Sequence, residues 1–451
     1  MTPKMSTVFA RKALLTEGWT DNVRLHIGAG CIQDIEAGIA PAAVDTQADI
    51  ILPGLCNAHS HAFQRALVGR TERRSPAGED NFWSWRVRMY ELANRIDAQQ
   101  LASIAMQAYT EMLQAGYTSV CEFHYLHADP EADGDAMFNA LQRAASATGI
   151  RLTYVPVLYE RAGFEHGAPE EDQRRFVLSL DAFLAHHARC AGNALDGTTV
   201  AIGAHSLRAV SEASLRALAA VATENDIPMH LHIAEQRAEV EQCVSATGKR
   251  PVAWLLDNFD LDKRWCLVHA THMDDAEIEA LAETRAVVCL CPTTEANLGD
   301  GIFPLLPFLE QGGRFAIGSD SQVSINPFEE LRWLEYGQRL ATQTRNIVAL
   351  QYENVGYELF RRALAGGAQA AREAPLGIAI GEGADLLTLR AEDAVLAGLD
   401  DDNYVDAMVF SGHRLPIDRV MACGEWRVED GDHVAQDETR ARYVHTLQAL
   451  R

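Results

Sequence analysis

The chain has 451 residues, 48% of them hydrophobic, and a formal net charge of −24 at pH 7, so it can bury a large core and we expect one large domain beside a smaller one. The negative charge opposes broad attraction to nucleic acid or to an anionic membrane, and we expect neither as a partner. The sequence has no apolar run of about 20 residues and no apolar export signal, so we expect a cytoplasmic protein. It contains nine cysteines, an odd count, and we expect no disulfide framework.

The first 52 residues contain short strand-like segments, such as residues 23–27, that end at glycines. We predict that residues 1–52 form the first part of a small β domain. The apolar run at residues 50–57 then predicts a buried strand, and His59 and His61 follow it at alternate positions. Their rings leave one face of the strand together, and two neutral imidazoles in that arrangement can bind one metal ion.

A long segment, residues 62–97, separates this strand from the next predicted helix and contains the aromatic stretch 82–90. Long loops after barrel strands often act as lids or binding loops. The alternative is a helix packed by its aromatic side chains, with Arg86 and Arg88 in solvent. The sequence leaves both interpretations open, and they are compatible.

Short apolar runs then alternate with helical segments, which is the pattern of βα units around a parallel sheet. One helix is well marked, because Asp97 can cap its start and Gly116 follows its end. Strands are predicted near residues 50–57, 117–123, 150–157, 199–205, 227–232, 265–269, 286–291 and 314–320. Eight such strands predict an α/β fold, a (β/α)8 TIM-like barrel spanning residues 53–377.

Beyond residue 378 the pattern returns to short strands and turns, for example at residues 381–389 and 419–428. We predict that residues 378–451 combine with residues 1–52 into a small β-sandwich-like domain beside the barrel. This arrangement requires the two ends of the chain to meet.

Potential ligands and acid–base groups stand at the carboxyl ends of the later barrel strands, where (β/α)8 barrels assemble their active sites. They are His205, His232 with Glu235, His269 and Asp320. His230 shares the strand face of His232 but lies one layer deeper, so we interpret it as a hydrogen-bonded core histidine. Glu122, at the end of the second strand, is expected to be structural, with its charge satisfied by a neighbour. Cys289 and Cys291 are interpreted as core residues, because no second cysteine pair stands at a zinc-site spacing.

Three imidazoles and one carboxylate from this set can bind zinc: His59, His61, His232 and Asp320. A bound zinc would lower the pKa of its water toward about 7 and so supply hydroxide, with Asp320 as the group that takes the proton. Glu235 can then protonate a leaving nitrogen, His269 can hydrogen-bond the tetrahedral centre, and His205 completes the ring of polar groups. We expect one ion per subunit, because none of the four lysines falls at the end of a predicted barrel strand, where a carboxylated lysine would bridge a metal pair. The same ligands also accept Fe²⁺ or Ni²⁺.

The polar residues at the strand ends resemble the amidohydrolase superfamily, specifically its branch of deaminases with a single metal ion. The motifs are His59-x-His61, His232-x-x-Glu235, His269 and Ser319-Asp320, and the resemblance covers nearly the whole chain. Within the branch, four stretches resemble the formimidoylglutamate deiminases of histidine degradation: residues 59–65, 122–125, 205–210 and 232–236. That resemblance implies a small dianionic substrate, N-formimino-L-glutamate, which is hydrolysed to N-formyl-L-glutamate and ammonia.

A dianionic substrate needs local cations in a protein of net charge −24, and Arg86 and Arg208 are the candidates on predicted loops at the catalytic end. By resemblance, Gln64 and Tyr125 join them as substrate contacts, and His205 stands near the formimino group or a carboxylate. The resemblance also implies a homodimer.

Two other functions fit part of the pattern. A deaminase of a heterocyclic base or nucleoside would use the same metal chemistry, but its pocket should be lined by aromatic and amide groups rather than by paired arginines. A non-enzymatic barrel that serves as a scaffold for protein association would need none of these polar residues, and the presence of the full set argues against it.

Overall fold

The computed structural model describes residues 5–451 except 75–79, 130–133, 165–166, 168, 373 and 413. In chain order its strands are β1 (Ser6–Leu15), β2 (Gly18–Gly28), β3 (Cys31–Glu36), β4 (Thr46–Pro53), β5 (Leu55–Ser60), β6 (Tyr117–His124), β7 (Arg151–Leu158), β8 (Thr198–Val200), β9 (Ile202–Ser206), β10 (Met229–Ile233), β11 (Trp265–His269), β12 (Val287–Leu290), β13 (Arg314–Ile317), β14 (Leu386–Leu389), β15 (Ile417–Ala422), β16 (Glu425–Glu429) and β17 (Asp432–His433). The helices are α1 (Phe82–Ala93), α2 (Ala98–Ala115), α3 (Ala136–Thr148), α4 (Leu180–Gly192), α5 (Glu212–Glu224), α6 (Arg237–Thr247), α7 (Pro251–Asn258), α8 (Asp275–Glu283), α9 (Pro292–Leu298), α10 (Leu305–Glu310), α11 (Pro327–Thr342), α12 (Val355–Ala370), α13 (Asp401–Phe410) and α14 (Gln436–Ala449). Short 3-10 helices lie at Ala62–Leu67 and Glu171–Gln173.

Strands β5 to β13 form the wall of a parallel barrel, so the predicted (β/α)8 architecture is confirmed. Strands β8 and β9 act as one broken strand, since both pair with β7. The ring closes where β13 approaches β5, through an isolated parallel bridge between Ser60 and Asp320. Here Asp320 N donates to the His59 carbonyl, and His61 N donates to the Asp320 carbonyl, both at 3.0 Å. We call this contact, formed by residues 59–61 and 320, the closure seam.

The first predicted barrel strand, at residues 50–57, is wrong in its extent. The apolar run divides between two sheets, because β4 ends at Pro53 and pairs with β1 and β14, whereas β5 starts at Leu55 in the barrel. The chain passes from one sheet to the other at Gly54, where any side chain would collide with Thr118. The sequence pattern could not reveal the break, since the residues on both sides of it are equally buried and apolar.

Helix α2 has the limits that the sequence predicts. The Asp97 side chain accepts a hydrogen bond from Gln100 N at 2.7 Å, and the Gln100 side chain accepts one from Asp97 N at 3.1 Å, which is a capping box. Gly116 ends the helix in the left-handed conformation, with φ of 102°. The apolar face of α2 is buried, and α2 packs against α3 and α14.

A second sheet combines strands from both ends of the chain, in the order β17-β16-β15-β14-β4-β1-β2-β3. It buries an apolar cluster of its own, which includes Val8, Leu25, Ile51 and Leu386. The prediction of only short strands and turns beyond residue 378 is incomplete, because α13 and α14 also lie there. The described helices all fall short of the length and apolar character that a membrane span requires.

Candidate active site

Three imidazoles meet at the C-terminal end of the barrel strands. His59 belongs to β5, His61 follows it, and His232 lies in β10 across the barrel. The Nε2 atom of His59 lies 3.1 Å from Nε2 of His61 and 3.0 Å from Nε2 of His232. Asp320, just beyond β13, brings Oδ1 within 3.3 Å of His61 Nε2 and 3.5 Å of His59 Nε2. The three imidazoles therefore converge on one point, and the Asp320 carboxylate borders two of them.

The protonation of these rings fits a bound cation. His61 Nδ1 lies 2.8 Å from the Phe123 carbonyl, and His232 Nδ1 lies 3.0 Å from the His205 carbonyl. A carbonyl only accepts hydrogen bonds, so each Nδ1 carries the proton and each Nε2 presents a lone pair to the centre of the cluster. Burial lowers the pKa of all three rings, which keeps them neutral, as metal binding requires. The donor set fits a single ion such as zinc, whose bonds to nitrogen are about 2.0–2.1 Å long.

His269 and Asp320 adopt the left-handed backbone region, with φ of 71° and 45°. For residues other than glycine such a conformation costs about 1–3 kcal/mol and is found mostly at functional sites. The hydrogen bonds of the closure seam hold Asp320 in place. Two of the predicted site residues therefore have a strained backbone, although positive φ also occurs far from the site, for example at Asn22 and Asp430.

Three carboxylates surround His269. Its Nδ1 lies 3.2 Å from Glu295 Oε1, and its Nε2 lies 3.7 Å from Glu235 Oε1 and 3.9 Å from Asp320 Oδ2. Burial opposes protonation of this ring, but the carboxylates outweigh burial and raise the pKa of His269 to about 10. Burial also raises the pKa of Glu235 to about 7, against the positive charges of His269 and Arg208. Glu235 can therefore hold a proton near neutral pH at the edge of the cluster.

A narrow cleft opens onto the imidazole cluster. Its wall includes every predicted substrate contact: Gln64, Arg86, Tyr125, His205 and Arg208. Gln64 Nε2 donates to Tyr125 Oη at 3.2 Å, whereas Gln64 Oε1 has no partner among the described residues. Burial, reinforced by the charge of Arg208, lowers the pKa of His205 well below its usual value, so this ring is neutral.

Arg86 and Arg208 bring two positive charges to the cleft. In the described parts of the chain, no carboxylate forms an ion pair with either guanidinium, and Arg86 Nη1 and Arg208 Nε are buried without a hydrogen-bond partner. Arg161 fixes the loop that carries Arg208, by donating to the carbonyls of Leu207 and Arg208 at 3.1 Å. Because a buried cation without a counter-ion is costly, the cleft suits an anionic ligand.

The long segment 62–97 combines the two interpretations that the sequence leaves open. Part of it is the helix α1, whose aromatic residues pack against one another. Arg86 on this helix lines the cleft, whereas Arg88 points to the Arg70 carbonyl. The segment therefore contributes a packed helix and a cleft wall together.

Sequence reasoning misses three buried carboxylates near Glu235 and His269. Glu295 Oε1 accepts hydrogen bonds from Cys291 N at 2.9 Å and from His269, and Glu239 Oε2 accepts one from Glu235 N at 3.1 Å. Asp300 accepts from the Gln236 side chain, and burial raises the pKa of Asp300 to about 9. None of the three lies at the end of a strand, where the sequence pattern predicts site residues. Pro292, at the first position of α9, is the available signal that a helix starts directly at the end of β12.

The residues interpreted as structural behave accordingly. His230 is buried in the core, where its Nε2 lies 3.0 Å from the Ala370 carbonyl. Glu122 accepts hydrogen bonds from Ser60 Oγ and Ala62 N, both at 2.7 Å, rather than pairing with a cation, and burial raises its pKa to about 8. Cys289 and Cys291 are buried and free, as expected. Cys291 nevertheless groups with His269 and Asp320, since their potential ligand atoms lie within 4.8 Å of one another.

Comparison with known proteins identifies the family. Residues 50–426 match the model of the amidohydrolase family, and residues 5–49 match that of formimidoylglutamate deiminase HutF, N-terminal domain. The chain belongs to the amidohydrolase family. This amidohydrolase is a hydrolase of C–N bonds other than peptide bonds, in a family that depends on metal ions.

Individual relatives cover most or all of this amidohydrolase. It is 45% identical to a formimidoylglutamate deiminase of Pseudomonas aeruginosa, over 99% of this chain and 100% of the relative. It is 28% identical to a 5-methylthioadenosine/S-adenosylhomocysteine deaminase of Halobacterium salinarum, over 90% and 89%. Among solved structures, an amidohydrolase of Brucella melitensis matches with a TM-score of 0.93 and 39% identity over 99% of each chain. An adenosine deaminase of Xanthomonas campestris with bound zinc matches in fold, with a TM-score of 0.82 and 20% identity, over 99% of this chain and 98% of that chain.

Proposed function

We propose that this amidohydrolase hydrolyses N-formimino-L-glutamate to N-formyl-L-glutamate and ammonia. The observation that carries the proposal is the pair of guanidiniums, Arg86 and Arg208, which face the same cleft as the imidazole cluster and lack a described counter-ion. A substrate with two carboxylates supplies the missing negative charges. The 45% identity to the Pseudomonas aeruginosa formimidoylglutamate deiminase supports this choice of substrate.

One zinc ion per subunit is proposed as the cofactor, held by His59, His61, His232 and Asp320, and the same ligands accept Fe²⁺ or Ni²⁺. When bound, such an ion lowers the pKa of a water molecule toward about 7 and polarises the reacting group. The neutral imidazoles and their converging Nε2 atoms support this assignment.

The protein groups around the cluster then move protons between water and the substrate. Asp320 takes a proton from the attacking water, whose oxygen forms a bond to the formimino carbon. Glu235 gives its proton to the imino nitrogen, and His269 donates a hydrogen bond to the tetrahedral centre. The C–N bond breaks after Asp320 returns its proton to that nitrogen and Glu235 accepts the hydroxyl proton. Ammonia thus carries one proton of the water, delivered by Asp320, and the proton of Glu235, which the second proton of the water replaces, and the oxygen stays as the formyl group.

The cleft wall orients the substrate for this step. Arg86 and Arg208 bind the two carboxylates, because a planar guanidinium matches a carboxylate at two points. Gln64 and Tyr125 contact the chain of the substrate, and the unpartnered Gln64 Oε1 accepts a hydrogen bond from the substrate nitrogen that remains. The neutral His205 stands beside the formimino group or a carboxylate.

The test is to incubate metal-loaded protein with N-formimino-L-glutamate and to measure ammonia and N-formyl-L-glutamate. We expect the two products in equal amounts. Protein that contains a full complement of metal but releases no ammonia would refute the proposal.

The alternative is deamination of a heterocyclic base or nucleoside, as the names of more distant relatives suggest. Replacing Arg208 by alanine separates the two functions. We expect a loss of about 10- to 150-fold in kcat/KM for N-formimino-L-glutamate, since charge-assisted hydrogen bonds to a buried group contribute about 1.5–3 kcal/mol. Unchanged activity with this substrate, together with turnover of cyclic amidines by the wild type, would favour the alternative.

The remaining expectations concern location and assembly. We propose a cytoplasmic enzyme, because all nine cysteines are free, as a reducing compartment would keep them. We propose the small dianionic substrate as its partner, with neither nucleic acid nor membrane bound. A homodimer is also expected, and light scattering of the purified protein measures its mass.

A further inference from the structure

One indole ring in α1 lies against both arginines of the cleft. The Cζ atom of Arg86 is 4.5 Å from the centre of the Trp83 ring, and the Cζ atom of Arg208 is 5.2 Å from it. Arg86 belongs to the same helix, whereas Arg208 comes from the loop after β9. Trp83 thus contacts one cation of its own helix and one cation from a barrel loop, and the second contact joins α1 to the barrel.

The position of Trp83 is well defined. The Asn81 side chain accepts hydrogen bonds from the backbone N of Trp83 at 2.9 Å and of Ser84 at 3.3 Å, and so caps the start of α1. The neighbouring Phe82 and Trp85 line the cleft, but Trp83 does not. Any effect of Trp83 on a ligand in the cleft must therefore act through its neighbours, which are the two arginines and Phe82, whose ring centre lies 5.2 Å from that of Trp83.

Two guanidiniums in one cleft repel each other, and no described carboxylate forms an ion pair with either of them, although the charge of Arg208 reaches the carboxyls of Glu235 and Glu239. The face of an indole ring attracts a cation through its quadrupole, and tryptophan does so more strongly than tyrosine or phenylalanine. Arg86 has a second aromatic contact, since its Cζ lies 5.4 Å from the centre of the Tyr90 ring. The aromatic rings therefore keep the two charges close together without occupying the hydrogen-bond donors that a carboxylate needs.

We infer that Trp83 is a positioning residue that sets specificity for substrates with two carboxylates, by holding Arg86 and Arg208 over one ring. The inference rests on the proposed function. Trp83 touches neither substrate nor metal, and it selects the substrate through the spacing of the Arg86 and Arg208 side chains.

The test compares Trp83→Leu and Trp83→Phe with the wild type on three amidines. These are N-formimino-L-glutamate and two truncated compounds that each lack one carboxylate, N-formimino-4-aminobutyrate and N-formimino-L-2-aminobutyrate. For Trp83→Leu we expect KM for the dicarboxylate to rise about 10-fold at nearly constant kcat, and kcat/KM for each truncated amidine to change less than about 3-fold. Trp83→Phe keeps an aromatic face and should show a smaller rise in KM.

The matched control is Trp426→Leu, because Trp426 also lies against an arginine, Arg419, at 5.9 Å, but in β16 far from the cleft. This variant should keep wild-type kinetics. Dissociation constants of glutarate and butyrate give a second measurement that needs no turnover, and only the affinity for glutarate should fall in Trp83→Leu.

Three results would overturn the inference. They are an unchanged KM in Trp83→Leu, an equal loss for the dicarboxylate and the truncated amidines, and an unchanged affinity for glutarate. These results, with an active wild type, would leave the proposed function intact. A wild type that releases no ammonia from N-formimino-L-glutamate would overturn the proposed function and this inference with it.

Discussion

Glu235 faces the cationic ring of His269 at 3.7 Å, with burial raising the pKa of Glu235 to about 7. If the protonated form delivers the proton to the leaving nitrogen, kcat must fall as the pH rises through that value, because the active form is lost. We expect Glu235→Gln to lower kcat by about 10²–10⁴-fold and to remove this alkaline limb. The measurement is kcat against pH for both proteins.

The control for this variant is Glu241→Gln, an exposed position on α6, the helix that begins two residues after Glu235. It should leave both the rate and the pH profile unchanged. An alkaline limb that persists in Glu235→Gln would assign the titration to another group.

At the scale of single residues, the sequence predicts which side chains lie together wherever strand geometry determines their direction. Side chains that alternate at the end of a parallel strand must point together, and this places His59, His61 and His232 in one cluster. Glu295 escapes the same reasoning, because it reaches His269 from inside α9, and only the barrel brings that helix across the strand end. The spacing of Arg86 and Arg208 is equally invisible in the sequence.

Among the elements, the contact between β13 and β5 depends on one glycine. A Cβ at Gly318 would lie 2.8 Å from the Cβ and carbonyl oxygen of His59, closer than real contacts allow. We expect Gly318→Ala to push the two strands apart, and thus to lower both the metal content and the melting temperature. Metal analysis and thermal unfolding measure the two effects.

Gly337→Ala is the matched control, since its Cβ would meet nothing nearer than 3.5 Å and it lies inside α11. Alanine there should leave the metal content unchanged and raise stability slightly, by about 0.5–1 kcal/mol. Wild-type metal content in Gly318→Ala would show that the strands tolerate the displacement.

The cap of α2 allows a separate test of stability. Asp97→Ala removes the acceptor for Gln100 N, and we expect the free energy of unfolding to fall by about 1 kcal/mol. Asp97→Asn keeps an acceptor and should cost much less. Unfolding in urea measures both, and equal losses in the two variants would assign the effect to charge rather than to the cap.

The elements also mark the limit of prediction from the sequence. Helix α2 is predictable from its cap, its apolar face and its final glycine. Helix α14 is not, because within it only Thr439 and Thr446 are buried, so the sequence carries no apolar face to recognise. The division of the apolar run at Gly54 is hidden for the opposite reason, since everything around it is apolar and buried.

For the whole molecule, the proposed ligands lie on both sides of the closure seam and across the barrel, in β5, β10 and beyond β13. A bound ion therefore links strands that otherwise share few hydrogen bonds, and a ligand that binds only the folded state stabilises it. We expect a strong chelator to lower the melting temperature by at least about 3 °C and added zinc to restore it. His232→Ala should melt at a temperature that the chelator hardly changes. An identical melting curve for wild-type protein with and without chelator would contradict this prediction.

The sheet made from both chain ends can be completed only after the barrel has been synthesised. Strand β4 lies between β1, which precedes it on the ribosome, and β14, which starts only at Leu386, after the entire barrel has been made. At about 5–20 residues per second, one edge of β4 stays unpaired for roughly 20–70 s in each newborn chain. Premature termination anywhere in the barrel leaves that edge open permanently, so shortened translation products should be prone to aggregation even when their barrel strands are intact.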